Sequence, residues 1–274
     1  MKEYSSVLTG LDWHTDSFDL STYLDAVRLP QQEPSLDYLT QLIETHLHSF
    51  PFCNLDVVLS QHPGIDPEQV QRRFLEQNRG GYCFEHVQIF AAVLEQLGFG
   101  VERRLGRVHT ADNSRTHAVV IVTLDGAEYL CDPGFGFTVS TPLKLADGAT
   151  ASTAGQHFTL NRIERGNNVF WELTRNGKTE HIVDQLPAVP ADFRTGHFIT
   201  SQEPLSVFTQ HLMAMGFVGE EHHTVTEKSL TIRRDGKDTE HRELTIDQAA
   251  EHLSTLGIHL TDDDVTGLKQ KFGN

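Results

Sequence analysis

The chain has 274 residues, 38% hydrophobic and 8% aromatic, an ordinary globular composition with room for one large domain or two to three small ones. Its 22 basic and 38 acidic residues leave a formal charge of −16, which argues against gripping a nucleic-acid backbone or an anionic membrane. Three cysteines without framework spacing, and no signal-peptide pattern in residues 1–20, point to a reducing, cytoplasmic setting.

The first third reads as helices. Residues 21–29 place Tyr23, Leu24 and Val27 on one face. Ser35 is positioned to cap a second helix carrying Leu36, Leu39, Leu42, Ile43 and Leu47, which Pro51 ends. Asp66-Pro67 supplies a cap and a first-turn proline for a third, running through Val70, Phe74 and Leu75 toward Asn78. After Gly80-Gly81 a fourth begins near Cys83, carries Val87, Ile89, Phe90, Val93, Leu94 and Leu97, and closes at Gly98. Apolar on most of its face, it is expected to be central.

The texture then changes to period two. Residues 101–108, 117–124 and 127–131 read as strands, the last two joined by Asp125-Gly126, a strong hairpin signal. Strand-like runs follow at 157–163, 169–174 and 179–183, and the Ala/Thr/Gly-rich residues 143–155 read as a long surface loop. Pro187 and Pro190 mark a linker. Beyond it, 206–215 reads as a helix, 224–232 and 240–245 as a hairpin about Asp235-Gly236, and 246–256 and 262–272 as closing helices. No apolar stretch approaches the roughly 20 residues that span a bilayer. The 16 histidines are scattered, with His46/His48 and His222/His223 the tightest groups, and no metal site is expected.

Cys83, His117 and Asp132 carry the chemistry. A cysteine nucleophile acts as the thiolate, so its ordinary pKa of about 8.5 must be lowered. A place in the first turn of a helix would do this, and an imidazolium partner would do it more strongly. With Asp125-Gly126 as a two-residue turn, 124 pairs with 127, 122 with 129, 119 with 132 and 117 with 134. Asp132 then faces Val119, and His117 is its diagonal neighbour, about 7–8 Å away between alpha carbons. Each residue alone has a bland reading: a small core cysteine, a satisfied strand histidine, a turn-forming aspartate. Together they read as nucleophile, base and orienting carboxylate.

These residues resemble the signature of the arylamine N-acetyltransferase family. Its R-G-G-[YW]-C-[FLY]-[EQ] stands here as Arg79-Gly80-Gly81-Tyr82-Cys83-Phe84-Glu85, its Thr-His as Thr116-His117, and its D-x-G-F-G as Asp132-Pro133-Gly134-Phe135-Gly136. Pro51-Phe52 with Asn54-Leu55-Asp56, Arg107-Val108, and Pro204, Ser206 and Phe208 match further family positions. The resemblance spans roughly residues 20–260. It implies an α+β fold of helical N-terminal domain (1–98), central β-barrel (99–190) and C-terminal α/β lid (191–274), with a papain-like Cys-His-Asp triad. It also implies ping-pong chemistry with acetyl-CoA as co-substrate and no metal. Acetyl-CoA acylates Cys83, CoA leaves, and an arylamine, arylhydrazine or similar amine takes the acetyl group. His117 moves the protons and Asp132 holds its ring, while Val108, Phe135 and Phe208 line the substrate pocket.

The chain departs from the family pattern at Cys53, Val87, Pro133 and His197. Cys53 stands for Glu, Val87 and His197 each for Asn, and Pro133 for a small apolar residue, which should end strand pairing locally. No phosphate-binding loop is present, so CoA phosphates would meet scattered basic groups and backbone amides. Arg103, Arg104 and Arg115 are candidates by position, against a simpler reading as solvated surface arginines. A papain-like thiol hydrolase or amidase, or a macrocycle-forming amide synthase of the same fold family, is the alternative. The expected partners are an acyl-CoA and a small amine, with neither nucleic acid nor membrane. The sequence does not set the oligomeric state.

Overall fold

The computed structural model describes residues 12–273; much of the segment read as lacking a signal peptide lies outside the described residues. Helices come first: α1 (Leu20–Val27) and α2 (Leu36–Ser49), then the short strand β1 (Phe52–Cys53) and α3 (Leu55–Val58). Ser35 caps α2 as its sequence predicts, its hydroxyl accepting from the Tyr38 amide at 3.1 Å. The helix read through residues 67–78 divides into α4 (Pro67–Gln71) and a π-helical turn, Arg72–Glu76. That turn carries Arg73 into a buried ion network described below. Next comes α5 (Cys83–Gln96), in which every residue from Cys83 to Leu94 is buried. A helix so apolar has no solvent face and must be central.

An eight-stranded antiparallel sheet follows: β2 (Gly100–Val108), β3 (Arg115–Leu124), β4 (Ala127–Cys131), β5 (Leu143–Lys144), β6 (Ala149–Thr153), β7 (Gln156–Arg165), β8 (Asn168–Arg175) and β9 (Lys178–Pro187). Its order is β5-β4-β3-β2-β9-β8-β7-β6, so the two edge strands are consecutive in the chain and the sheet closes nearly into a barrel. Residues 143–155 are therefore not a surface loop. Their backbone is paired to β4 and β7, and tertiary pairing overrides the weak strand propensity of Ala and Gly.

The Asp125-Gly126 turn forms as predicted, both residues having positive φ (51° and 76°), as a type I′ turn requires. The β3–β4 ladder pairs Leu124 with Ala127 through Val120 with Cys131 and stops there, immediately before Asp132-Pro133. Strand β3 is buried on both faces. Ala118, Val120 and Val122 pack into the core around α5, while Val119 and Ile121 pack inside the barrel. His117 shares the parity of Val119, which sends it to the barrel side.

The remaining elements are α6 (Pro190–Gln202), α7 (Val207–Gln210), β10 (Met213–Val218), β11 (Glu221–Thr226), β12 (Ser229–Arg233), β13 (Glu240–Glu243), α8 (Ile246–Thr255) and α9 (Asp262–Phe272). The linker assigned to Pro187 and Pro190 instead runs straight into α6, with Pro190 in its first turn and Asp192 accepting from the Val189 amide at 2.9 Å. The helix read over 206–215 is one turn, α7, followed by β10. An apolar run that short does not separate helix from strand by periodicity. The strand read over 224–232 is two, folded at Glu227-Lys228. Thr226 makes that turn, its hydroxyl accepting from the Ser229 amide at 3.0 Å, so no Gly or Pro announces it. The second sheet has the order β1-β10-β11-β12-β13 and rests on α3, α8 and α9 through a separate core of Leu55, Ala214, Leu230, Leu253 and Leu268.

Candidate active site

Cys83 is the first residue of α5, after Tyr82 as N-cap. Its amide precedes the intrahelical hydrogen-bond ladder and is available to a ligand. Gly80 holds φ at +63°, and a Cβ there would lie 2.2 Å from the Pro51 carbonyl oxygen, so only glycine lets the chain turn into the helix at this point. Gly134 approaches from the other side. A Cβ on it would meet the Cys83 Cα at 2.6 Å, which seats the loop after Asp132 directly on the start of α5.

The sulfur lies against the backbone on both sides of His117. The Cys83 thiol donates to the Thr116 carbonyl at 3.5 Å, and the Ala118 amide faces the sulfur from the next peptide. This placement has a local cause. Gly106 pairs with His117 but Arg107 pairs with Arg115, which leaves Thr116 as the extra residue of a β-bulge. Bulges re-aim the residues beside them, and this one presents the Thr116 carbonyl to the start of α5.

His117 Nε2 is 3.2 Å from Asp132 Oδ1, an ion-pair distance, and neither atom makes a directed hydrogen bond to any described residue. Asp132 Oδ2 accepts from His181 Nε2 at 2.9 Å and from the Thr138 hydroxyl at 3.2 Å. Burial alone would raise the Asp132 carboxyl, but the two imidazoles hold it well below the usual carboxylate range. It is a buried carboxylate, ionised at neutral pH. His181 is pushed below its ordinary value, by burial first, and so is a neutral donor.

The resting sulfur departs from the sequence expectation. Burial pushes the Cys83 thiol up, and the nearby Asp132 charge adds to this, while the Ala118 and Phe84 amides oppose it. The favoured resting form is the neutral thiol. Helix placement alone does not overcome the loss of water.

Of the pocket residues expected from sequence, Phe135 packs its ring on His117 at 5.0 Å and on His181 at 5.3 Å. Phe208 packs on Tyr82 at 5.4 Å. Val108 is paired across the sheet with His181, its carbonyl accepting from Asn113 Nδ2 at 2.7 Å. His181 and Thr138 are the residues the sequence did not offer. His181 sits mid-strand in a period-two run with no motif around it, and only barrel closure brings it to Asp132. Donor atoms of His117, Asp132 and His181 lie within 4.8 Å of one another, a spacing that a metal ion could use and that scattered histidines did not foretell. We read the set as hydrogen-bonded, since the carboxylate faces both ring nitrogens.

A sequence model described as N-acetyltransferase matches residues 35–265. The chain is 30% identical over 261 residues to the arylamine N-acetyltransferase of Mycolicibacterium smegmatis, covering 90% of this chain and 94% of the relative. The chain belongs to the arylamine N-acetyltransferase family. Among solved structures it resembles the arylamine N-acetyltransferase of Mycobacterium abscessus, with a TM-score of 0.88 and 29% identity over 96% of this chain and 97% of that one. It also resembles the Mycobacterium marinum enzyme in complex with CoA, with a TM-score of 0.82 and 28% identity over 93% and 98%.

The family motif residues around Cys83 form one buried ion network. Arg73 Nε donates to Glu85 Oε1 at 2.7 Å, and a second nitrogen of the same guanidinium binds Asp56. Arg79 binds Asp56 as well and donates to Asp264 of α9 at 2.7 Å. Glu85 also accepts from the Tyr82 amide at 3.1 Å, so one carboxylate both caps α5 and fixes the loop that precedes the nucleophile. Burial alone would raise Glu85, but Arg73 and His62 bring it down to about 2.

The sign follows from linkage. A carboxyl depressed on folding adds stability above its unfolded pKa of about 4.5, and that contribution drains away as pH falls toward 2. The depression corresponds to about 3 kcal/mol. Glu85→Gln is expected to lose stability of that order at pH 7 and to show a shallower further loss between pH 5 and 3. Urea unfolding at a series of pH values checks both; an unchanged midpoint at pH 7 would contradict the network's role.

The departures from the family pattern are accommodated locally. His86, beside Val87, has its Nδ1 2.9 Å from His46 Nε2, and His46 Nδ1 is 3.0 Å from the Tyr23 hydroxyl. Burial lowers both imidazoles, His86 to about 4, so this chain is neutral. His197 binds the Tyr82 hydroxyl. Burial raises the Cys53 thiol to about 11, and Pro133 coincides with the end of the β3–β4 ladder, as expected. Of the arginines considered for CoA phosphates, Arg103 and Arg104 are buried and Arg115 is half-buried, and all three are paired. Arg103 pairs with Glu95, Arg104 with Glu102 and Glu128, and Arg115 with Asp184. Their charge is already committed.

Proposed function

We propose that the chain transfers an acetyl group from acetyl-CoA to an arylamine, arylhydrazine or similar amine through an acetyl-Cys83 intermediate. Cys83 is the nucleophile, His117 the proton carrier and Asp132 the orienting group. With its Nε2 proton directed at Asp132, His117 keeps Nδ1 free as a base. His117 takes the thiol proton as Cys83 Sγ attacks the thioester carbonyl, because the buried sulfur does not ionise unaided. The Cys83 amide is placed to donate to the oxyanion that forms. Collapse of the tetrahedral species breaks the bond to CoA sulfur, and His117 returns the proton to that leaving group. In the second half His117 takes a proton from the attacking amine, the amide forms, and Cys83 leaves as the thiol.

The observation that carries this reading is the sulfur held against the peptides flanking His117, whose ring meets a buried, ionised Asp132. Phe135 beside both imidazoles, together with Phe208 and Val108, is proposed to line the pocket for acyl group and acceptor. The three-domain division at 98 and 190 is part of the same proposal. Three cores support it, although β1 and α3 of the first segment pack with the third and Leu105, Ala118, Val120 and Val122 of the second pack with the first. We also propose a cytoplasmic setting, supported by three unpaired cysteines. No helix among the described residues is long and apolar enough to cross a membrane.

Intact mass after brief mixing with acetyl-CoA, without acceptor, tests the intermediate. One acetyl group is expected, mapping to Cys83 and discharged on adding an arylamine. Acetylation elsewhere, or an adduct inert to amine, would remove the proposal.

A further inference from the structure

Asp132 is fully buried, and a buried carboxylate is strongly disfavoured without donors on both oxygens. His117 reaches only Oδ1, and its protonation alternates through the reaction just described. The Oδ2 side must therefore be held by something that does not change. His181 Nε2 is there at 2.9 Å, with the Thr138 hydroxyl at 3.2 Å. His181 is fixed by ladders on both sides, opposite Val108 of β2 and Leu173 of β8. Its ring stands 4.8 Å from that of His117, centroid to centroid, and Phe135 packs against both.

We propose that His181 is a positioning residue for acetyl transfer, a permanent N–H donor that holds the Asp132 carboxylate in the orientation from which its other oxygen meets His117. The inference rests on the triad reading above. A neutral donor suits the task, because it satisfies Oδ2 without cancelling the charge that the His117 imidazolium needs. The other titratable groups around the pair are Glu180, next to His181 in β9 and itself bound to Arg175, and the neutral Cys83 and His86 side chains across the α5 contact.

The test compares His181→Met, which removes the donor at similar length, with His181→Gln, whose Nε2 can restore it. Single-turnover acetylation of Cys83 and the steady-state kcat and KM are measured for the full chain. Loss of a hydrogen bond to a charged group predicts acetylation slower by about 10- to 100-fold in His181→Met, with KM for acetyl-CoA within about twofold. His181→Gln should stay within about threefold of the parent. Equal losses in both variants, or an unchanged rate in His181→Met, would overturn the proposal. If His181→Met does not fold, His181→Gln decides alone, a rate within about threefold supporting the donor role and a larger loss overturning it. Asp132→Asn is run in parallel. If that enzyme keeps its rate, the triad reading itself fails; if it is slow while His181→Met is fast, only the His181 inference falls.

Discussion

Cys83→Ser is expected to abolish acetyl transfer, by on the order of 10⁴-fold or more, while leaving the fold intact. The hydroxyl can donate to the Thr116 carbonyl as the thiol does, so the environment of the side chain is preserved. What changes is the chemistry. An alcohol buried beside Asp132 is far harder to deprotonate than a thiol, and burial already raises the thiol. An oxygen ester at this position would also resist the amine better than a thioester does. Thermal unfolding within a few degrees of the parent should accompany the loss, since one atom is exchanged at a site 4% exposed. Turnover by Cys83→Ala would show that the acyl group never resides on this sulfur.

Asp132→Asn should be the second most damaging change, slowing acetylation of Cys83 by about 10³- to 10⁴-fold. The carboxylate presents two acceptor oxygens to two imidazole N–H groups. An amide has one acceptor, so one ring must face an NH₂. If that ring is His117, its proton moves to Nδ1 and the base is lost. If it is His181, a donor meets a donor in a fully buried site. The negative charge that stabilises the His117 imidazolium disappears in either case. Stopped-flow or quenched-flow acetylation measures the effect, and a rate within about threefold of the parent would mean that His117 is oriented by something else.

Why Asp132 was legible and His181 was not is a matter of range. Asp125-Gly126 is a short turn with positive φ at both residues, so the local sequence sets the β3–β4 register, and that register carries His117 and Asp132 to the same side. Residues 224–232 failed the same kind of reading because their turn is made by the Thr226 hydroxyl. Residues 143–155 failed because Ala and Gly carry little strand signal, although β6 pairs with its chain neighbour β7 across the Ala154-Gly155 turn.

Local patterns by themselves determined an apolar helix beginning near Cys83, a hairpin bearing His117 and Asp132, and through their motifs the family. These depend on contacts between near neighbours, where dihedral preference and side-chain period dominate. Tertiary structure alone decided that the sulfur rests as a thiol, that Arg103, Arg104 and Arg115 are already paired, and that His181 completes the carboxylate's shell. Burial and long-range pairing set those outcomes, and desolvation depends on how the whole chain closes around a group.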